Sequence, residues 1–179
     1  MAPDNHSCPA IRSTCIPLII DKSWLQQQVL ERLAEDLLQV EQAVRVAHEA
    51  ATHEENIAEN KYDTLGLEAA YLATGQARRA EAIQLAIADW RRFRPLPYDA
   101  SKGIQLGALI SLVDSCAKHQ QLFLGPEGGS MKLASGAQIV QVISSEAPLG
   151  RAMLGRFEGE EVSIQVARIR LHFEVLRID

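Results

Sequence analysis

The stretch from His48 to Asp63, HEAATHEENIAENKYD, gathers the side chains in this sequence best suited to act on a metal or a charged group. Glu49, Glu54, Glu55, Glu59 and Asp63 stand there against one base, Lys61. The stretch nearly spells the zinc-protease signature H-E-x-x-H, in which histidines four residues apart lie roughly 40° apart on a helix and reach one ion. His48 and His53 are five residues apart. On a continuous helix that spacing is roughly 140°, which sends the two rings to different faces. No other histidine lies nearby, and Cys8, Cys15 and Cys116 are too scattered to supply a paired-cysteine ligand set. A metal held by the free protein is therefore not expected. Two readings remain: a solvated helix end, where acids complement the helix dipole, or a charged tool applied to something else.

The elements that must position these acids are legible on either side. Leu30, Leu33, Leu37, Val40, Val44, Ala47 and Ala51 recur at alternating spacings of three and four, the seam by which one helix packs along another. Ser23 with Gln26 fits a capping box at its start. After the acids the pattern resumes at Tyr62, Leu65, Ala69, Leu72, Gln76, Ala80, Ile83, Ile87 and Trp90, with an irregular step at Gln76. Pro95 and Pro97 end it, since proline lacks the amide hydrogen and restricts its predecessor. Two such seams predict an antiparallel helical hairpin, a coiled coil over 21–94 and roughly 45 Å long at 1.5 Å per residue, with its acidic tip near 53–63.

From Pro95 the texture becomes strand and turn. Leu109–Val113, Gln121–Leu124, Ser130–Leu133, Gln138–Ile143, Val162–Val166 and Leu171–Ile178 read as β segments, punctuated by Gly125-Pro126, Gly128-Gly129 and Ser135-Gly136. Ala147–Gly155 (APLGRAMLG) opens with a proline and closes with a glycine, the marks of a short helix. Fold class is thus α+β: the hairpin, then a small, mostly antiparallel β-domain over 95–179 with one short helix. Residues 1–20 read as a flexible N-terminal extension. Their apolar run Ile16–Ile20 lacks the basic front of a signal peptide.

Composition removes several function classes. With 47% hydrophobic residues the chain can bury a core. Its net charge of −5 argues against independent DNA or RNA binding, which needs a basic surface to neutralise phosphates. No apolar run approaches the ~18 residues of a membrane span, and three cysteines without framework spacing suit a reducing cytoplasm. No nucleophile with a neighbouring base, phosphate-cradling loop or nucleotide fingerprint is present, so no catalytic apparatus of its own is expected.

The run Ile143-Ser144-Ser145-Glu146-Ala147-Pro148-Leu149-Gly150-Arg151-Ala152-Met153-Leu154-Gly155-Arg156, followed by Gly159-Glu160-Glu161-Val162, resembles the C-terminal signature of the bacterial transcript-cleavage factors, the GreA/GreB family. That signature reads Ser-Pro-apolar-small-basic-Ala-apolar-apolar-Gly-basic, then Gly-acid-x-Val. Glu59-Asn60, followed by Tyr62, and Gly75 with Arg78 resemble the family's N-terminal half more loosely. The likeness spans about Trp24 to Ile178.

The resemblance implies a C-terminal domain like that of FK506-binding isomerases and a role in transcription elongation. Factors of this family dock their globular domain on RNA polymerase and insert the hairpin into its secondary channel. There the tip carboxylates help hold a second Mg²⁺ of the polymerase active site, so that the polymerase cleaves its own backtracked RNA. The nascent RNA 3′ end is thus met only indirectly, and a cytoplasmic monomer without cofactor of its own is implied. The family's tip presents Asp-x-x-Glu-Asn-x-x-Tyr, whereas Glu55-Asn56-Ile57-Ala58-Glu59-Asn60-Lys61-Tyr62 sets the acids four apart and brings the tyrosine one residue closer. With Glu59 at the family's glutamate, the partner is Asn56 by strict spacing or Glu55 by a one-residue slip. Carboxylates are the better magnesium ligands, so Glu55 and Glu59 are the candidate pair and Glu54 the reserve. Pro148, Leu149, Arg151, Met153 and Arg156 are the candidate polymerase-docking residues. Two alternatives remain: a secondary-channel regulator that does not promote cleavage, and a peptidyl-prolyl isomerase or chaperone-like module, which would need an aromatic-lined pocket from Tyr98, Phe123, Phe157 and Phe173.

Overall fold

A computed structural model describes residues 20–52, 65–136 and 138–179 of the chain. Two long helices, α1 (Lys22–Thr52) and α2 (Leu65–Arg92), form the hairpin. Asp21 starts α1: its carboxylate accepts the Ser23 amide at 2.8 Å, and its carbonyl accepts the Leu25 amide at 3.1 Å. An aspartate at that position satisfies an otherwise orphaned helix donor. The expected Ser23–Gln26 box is therefore replaced. Gln26 Nε2 instead donates to the carbonyl oxygens of Trp90 at 2.7 Å and Phe93 at 2.9 Å. Those carbonyls lie where a helix has run out of its own donors, so the start of α1 fastens the end of α2 and the helices run in opposite directions.

Burial also corrects the seams. On α1 the buried positions begin at Leu25 and Val29 and continue through Leu33, Val40 and Ala47, while Leu30 is only half-buried. On α2, Leu72 is 57% exposed. The half-buried neighbour Ala73 takes the inward position, and Ala73, Gln76, Ala80, Ile83, Ile87 and Trp90 then step by three and four without interruption. Leucine's hydrophobicity had suggested the irregular step; a small residue suits the close approach of two helices. Trp90 is fully buried and donates its indole N–H to the Glu127 carbonyl at 3.2 Å. Its ring meets Phe93 edge to face at 5.6 Å.

Among the described residues six strands follow: β1 (Leu109–Asp114), β2 (His119–Gly125), β3 (Met131–Ser135), β4 (Gln138–Ser144), β5 (Glu161–Val166) and β6 (Ile169–Ile178), with the short helix α3 (Pro148–Met153) between β4 and β5. They form one sheet in the order β3-β4-β2-β1-β6-β5. Among the described strands β2 and β4 run parallel, and the other pairs are antiparallel. The parallel pair is possible because β3 intervenes as the crossover between them. A core of Ile104, Ile110, Leu112, Leu122, Leu124, Met153, Val162, Phe173 and Val175 lies under α3, with Leu149 and Ala152 packed against it. Burying each such side chain contributes about 1.5–3 kcal/mol.

Chain contacts divide the molecule into two units whose boundaries interleave in sequence. One contains Arg94–Gly125 and Ser130–Asp179 together with the described residues up to Leu25; the other contains Gln26–Phe93 and the turn Pro126–Gly129. The turn belongs with the helices because the Trp90 indole is bound to it.

Candidate docking site

The signature segment begins where β4 ends. Ser144 is buried, and its hydroxyl oxygen accepts the Glu146 amide at 3.0 Å while its carbonyl accepts the Ala147 amide at 3.1 Å. This double tether turns the chain into α3. Ala147 is extended (φ −63°, ψ 149°) and Pro148 occupies the first turn, where a missing amide hydrogen costs nothing. The helix then settles directly on the turn: a Cβ on Gly150 would collide with the Ser144 carbonyl oxygen. Glycine is required there by contact.

That approach fixes which side chains of α3 face inward. Met153 is fully buried in the core. As a docking residue it is corrected: a side chain without exposed surface cannot touch a partner, and Met153 anchors the helix instead. Leu149 is half-buried against the same core. Pro148 and Arg151 are exposed. Arg151 grips Glu146 through Nε at 3.2 Å and a terminal guanidinium nitrogen at 2.6 Å on the same carboxylate oxygen. With both partners more than half exposed (68% and 54%), the pair sets the direction of Arg151 more than it stabilises the fold.

A second clamp holds the far end. Ile104 and the 155–156 segment exchange backbone hydrogen bonds, Ile104 donating to the Arg156 carbonyl and Gly155 donating to the Ile104 carbonyl, both at 2.8 Å. Gly103 (φ +68°) lies so close that a Cβ would meet the Gly155 and Arg156 carbonyl oxygens at 2.7 and 2.8 Å. Arg156 is exposed and lies 4.0 Å from Glu160, whose carboxylate also accepts the Phe157 amide at 2.9 Å. Leu154 and Phe157 are 42% and 41% exposed. Pro148, Arg151 and Arg156 are thus exposed on one tethered segment, with Leu149 half-buried against the core between them. Sequence spacing did not flag Glu146 as the partner of Arg151, because a five-residue step across a helix start follows no helical pairing rule. Glu54, Glu55 and Glu59 lie outside the described residues, between the end of α1 and the start of α2.

Residues 104–179 match the family model described as transcription elongation factor GreA/GreB, C-terminal. Over these residues the chain is similar to the GreA/GreB family. The chain is also 28% identical over 170 residues to the transcription elongation factor GreA of Desulfovibrio desulfuricans, covering 92% of this chain and 94% of that one. To GreA of Nitratidesulfovibrio vulgaris it is 27% identical over 168 residues, covering 91% and 92%. Among solved structures, the transcription factor Gfh1 is similar at 22% identity and a TM-score of 0.37, covering 86% of this chain and 92% of that one. The GreA/GreB match begins at Ile104, one of the two ends of the backbone clamp, and takes in α3 and all six strands. No helix among the described residues is long and apolar enough to cross a membrane.

Proposed function

We propose that this GreA/GreB-like chain is a transcription elongation factor that binds RNA polymerase, presents its acidic tip in the secondary channel and stimulates the polymerase's own cleavage of backtracked RNA. The observation that carries this reading is the joint presence of a GreA/GreB C-terminal domain and a helical hairpin whose helices end at Thr52 and begin at Leu65, on either side of the acids. The exposed segment with Pro148, Leu149, Arg151 and Arg156 docks the polymerase. Glu55 and Glu59, with Glu54 in reserve, serve as oxygen ligands to a Mg²⁺ shared with the polymerase active centre. Such an ion lowers the pKa of bound water and steadies the leaving oxygen in phosphodiester cleavage. The factor supplies ligands and charge; hydrolysis belongs to the polymerase. It works as a cytoplasmic monomer with no cofactor of its own.

The four-residue spacing of Glu55 and Glu59 favours a second reading, a channel-occupying regulator that does not promote cleavage. An isomerase has less support: Phe123 and Phe173 are buried and Tyr98 packs against the core, which leaves Phe157 as the exposed ring of the four.

Stimulated cleavage on stalled, backtracked complexes of the cognate polymerase separates these readings. Glu55→Gln with Glu59→Gln removes charge while nearly keeping shape and helix propensity. The double variant is expected to lose stimulation, keep polymerase affinity and regain part of its activity at high magnesium, because mass action refills a weakened site. Full stimulation at low magnesium by the double variant would remove both residues from the mechanism. A wild-type protein that slows the polymerase without cleavage would select the second reading.

A further inference from the structure

The β5–β6 hairpin reaches past the rest of the sheet. β1 pairs with β6 only as far as Asp114 with Phe173, whereas β5 and β6 stay paired out to Val166 and Ile169. The part of β6 beyond Phe173 therefore projects about 13 Å, at 3.3 Å per residue, as a two-stranded ribbon closed by the turn Ala167-Arg168. Residues paired across two antiparallel strands share a face, and the face alternates along each strand. One face of the ribbon continues the apolar ladder of Val162 with Phe173, Ile164 with Leu171 and Val166 with Ile169, buried at its first rung and exposed at its last. The other face pairs Ser163 with His172 and Gln165 with Arg170, all four exposed.

That second face is cationic in an acidic chain. The net charge is −5, yet neither Val162–Phe173 nor Ser115–Pro126, which holds the β1–β2 turn and β2, contains an aspartate or a glutamate. Arg168 and Arg170 are exposed and form no ion pair among the described residues, and the same holds for Lys118 on the β1–β2 turn at the same end of the sheet. The acids nearest in register are engaged or set back. Asp114 Oδ1 accepts the amides of Cys116 and Lys118 at 2.9 and 3.0 Å. The Glu161–Glu174 pair stands at the root of the ribbon, about 13 Å along the strand from Arg170 and beyond the Debye length of ~8 Å at physiological salt. Charge and shape say what covers the polar face. Arginines with serine and glutamine beside them are the donors that phosphate oxygens take, and a two-stranded ribbon fits the roughly 12 Å major groove of a duplex. An acidic protein surface would need the buried aromatic or apolar anchors that carry binding energy, and a single strand would need aromatic rings to stack on. This face has neither.

We propose that the β5–β6 ribbon is a sequence-independent contact for double-stranded nucleic acid: Arg168 and Arg170 neutralise phosphates, Ser163, Gln165 and His172 donate hydrogen bonds beside them, and Lys118 adds a third cation at the same end. It does not depend on polymerase docking. The negative charge of the whole chain keeps the contact weak, in the non-specific range of about 10⁻⁴–10⁻⁶ M, so it adds to a complex held by other means.

The test uses the full-length chain and a short fluorescent DNA duplex of arbitrary sequence, titrated at several salt concentrations. Contacts from the three cations predict a log–log salt slope of about −3. Arg168→Gln with Arg170→Gln should weaken binding about tenfold or more at low salt and bring the slope to about −1. Lys102→Gln with Lys132→Gln removes the same charge elsewhere, from the loop before β1 and from the opposite edge strand β3, and should bind as wild type. Where the double arginine variant lowers the thermal midpoint, Arg168→Gln alone, in the exposed turn, carries the test with a slope of about −2. An equal loss in the Lys102→Gln/Lys132→Gln chain would assign binding to net charge and overturn the proposal. So would a wild-type chain with no salt-dependent duplex binding, or one that binds a single strand or a polyglutamate of equal charge more tightly than the duplex.

Discussion

Asp99 shows how one turn can set the chemistry of one side chain. Its carboxylate accepts the Ser101 hydroxyl at 2.6 Å and the Ser101 amide at 3.0 Å, with Lys102 Nζ 3.2 Å away. These contacts favour the charged form and lower its pKa to about 2, the Ser101 hydroxyl bond contributing most. Because the folded value lies below the unfolded one of about 3.9, the turn's contribution to stability is present above pH ~4 and is lost as pH falls through about 2. Carbon-detected NMR should place the Asp99 midpoint near that value, and Ser101→Ala should move it upward towards the ordinary carboxylate range. An unchanged midpoint in Ser101→Ala would assign the shift elsewhere. Single residues also mark the limit of reading one at a time: Met153 and Leu154 are neighbours of similar chemistry in the signature, yet one is fully buried and the other 42% exposed.

At the scale of elements, α3 is the case where contact outweighs propensity. Six residues make too short a helix to hold itself in water; its attachment comes from Met153 and Leu149 in the core and from the approach of Gly150 to the Ser144 carbonyl. Gly150→Ala would ordinarily favour a helix by about 0.8–1 kcal/mol. Here the added methyl meets backbone that cannot rotate away, so the substitution is expected to destabilise the domain by about 1–3 kcal/mol and to weaken polymerase binding by displacing Pro148 and Arg151. Chemical denaturation with a binding isotherm checks both; a stabilised variant with unchanged binding would contradict the contact account. The strands were legible almost residue by residue, since alternation and glycine turns are local signals. The seam of α2 was less so, because hydrophobicity chose Leu72 where packing takes Ala73.

At the scale of the whole molecule, the proposed division of labour places binding on the sheet domain and chemistry at the hairpin tip. The full-length Glu55→Gln/Glu59→Gln variant should then compete with the wild-type chain for polymerase, suppressing stimulated cleavage at concentrations within about twofold of the wild-type dissociation constant, a difference under ~0.5 kcal/mol. Adding Arg151→Glu to it should relieve that suppression. A charge-neutralised variant that fails to compete would show that the acids themselves carry affinity, and would move part of the docking to the tip.

Periodicity, prolines and glycine turns determined the order and type of the elements, and one run of residues carried the family likeness, because each of these is written in neighbours along the chain. Which partners those elements take was decided in three dimensions. Gln26 reaches carbonyls 64 and 67 positions away, the Trp90 indole joins the Pro126–Gly129 turn to the helices, and the β5–β6 ladder passes from core to solvent within a single alternating pattern. Alternation along a strand states which side chains share a face, but whether that face is covered depends on how far the layer above it extends, and that is a property of residues distant in sequence.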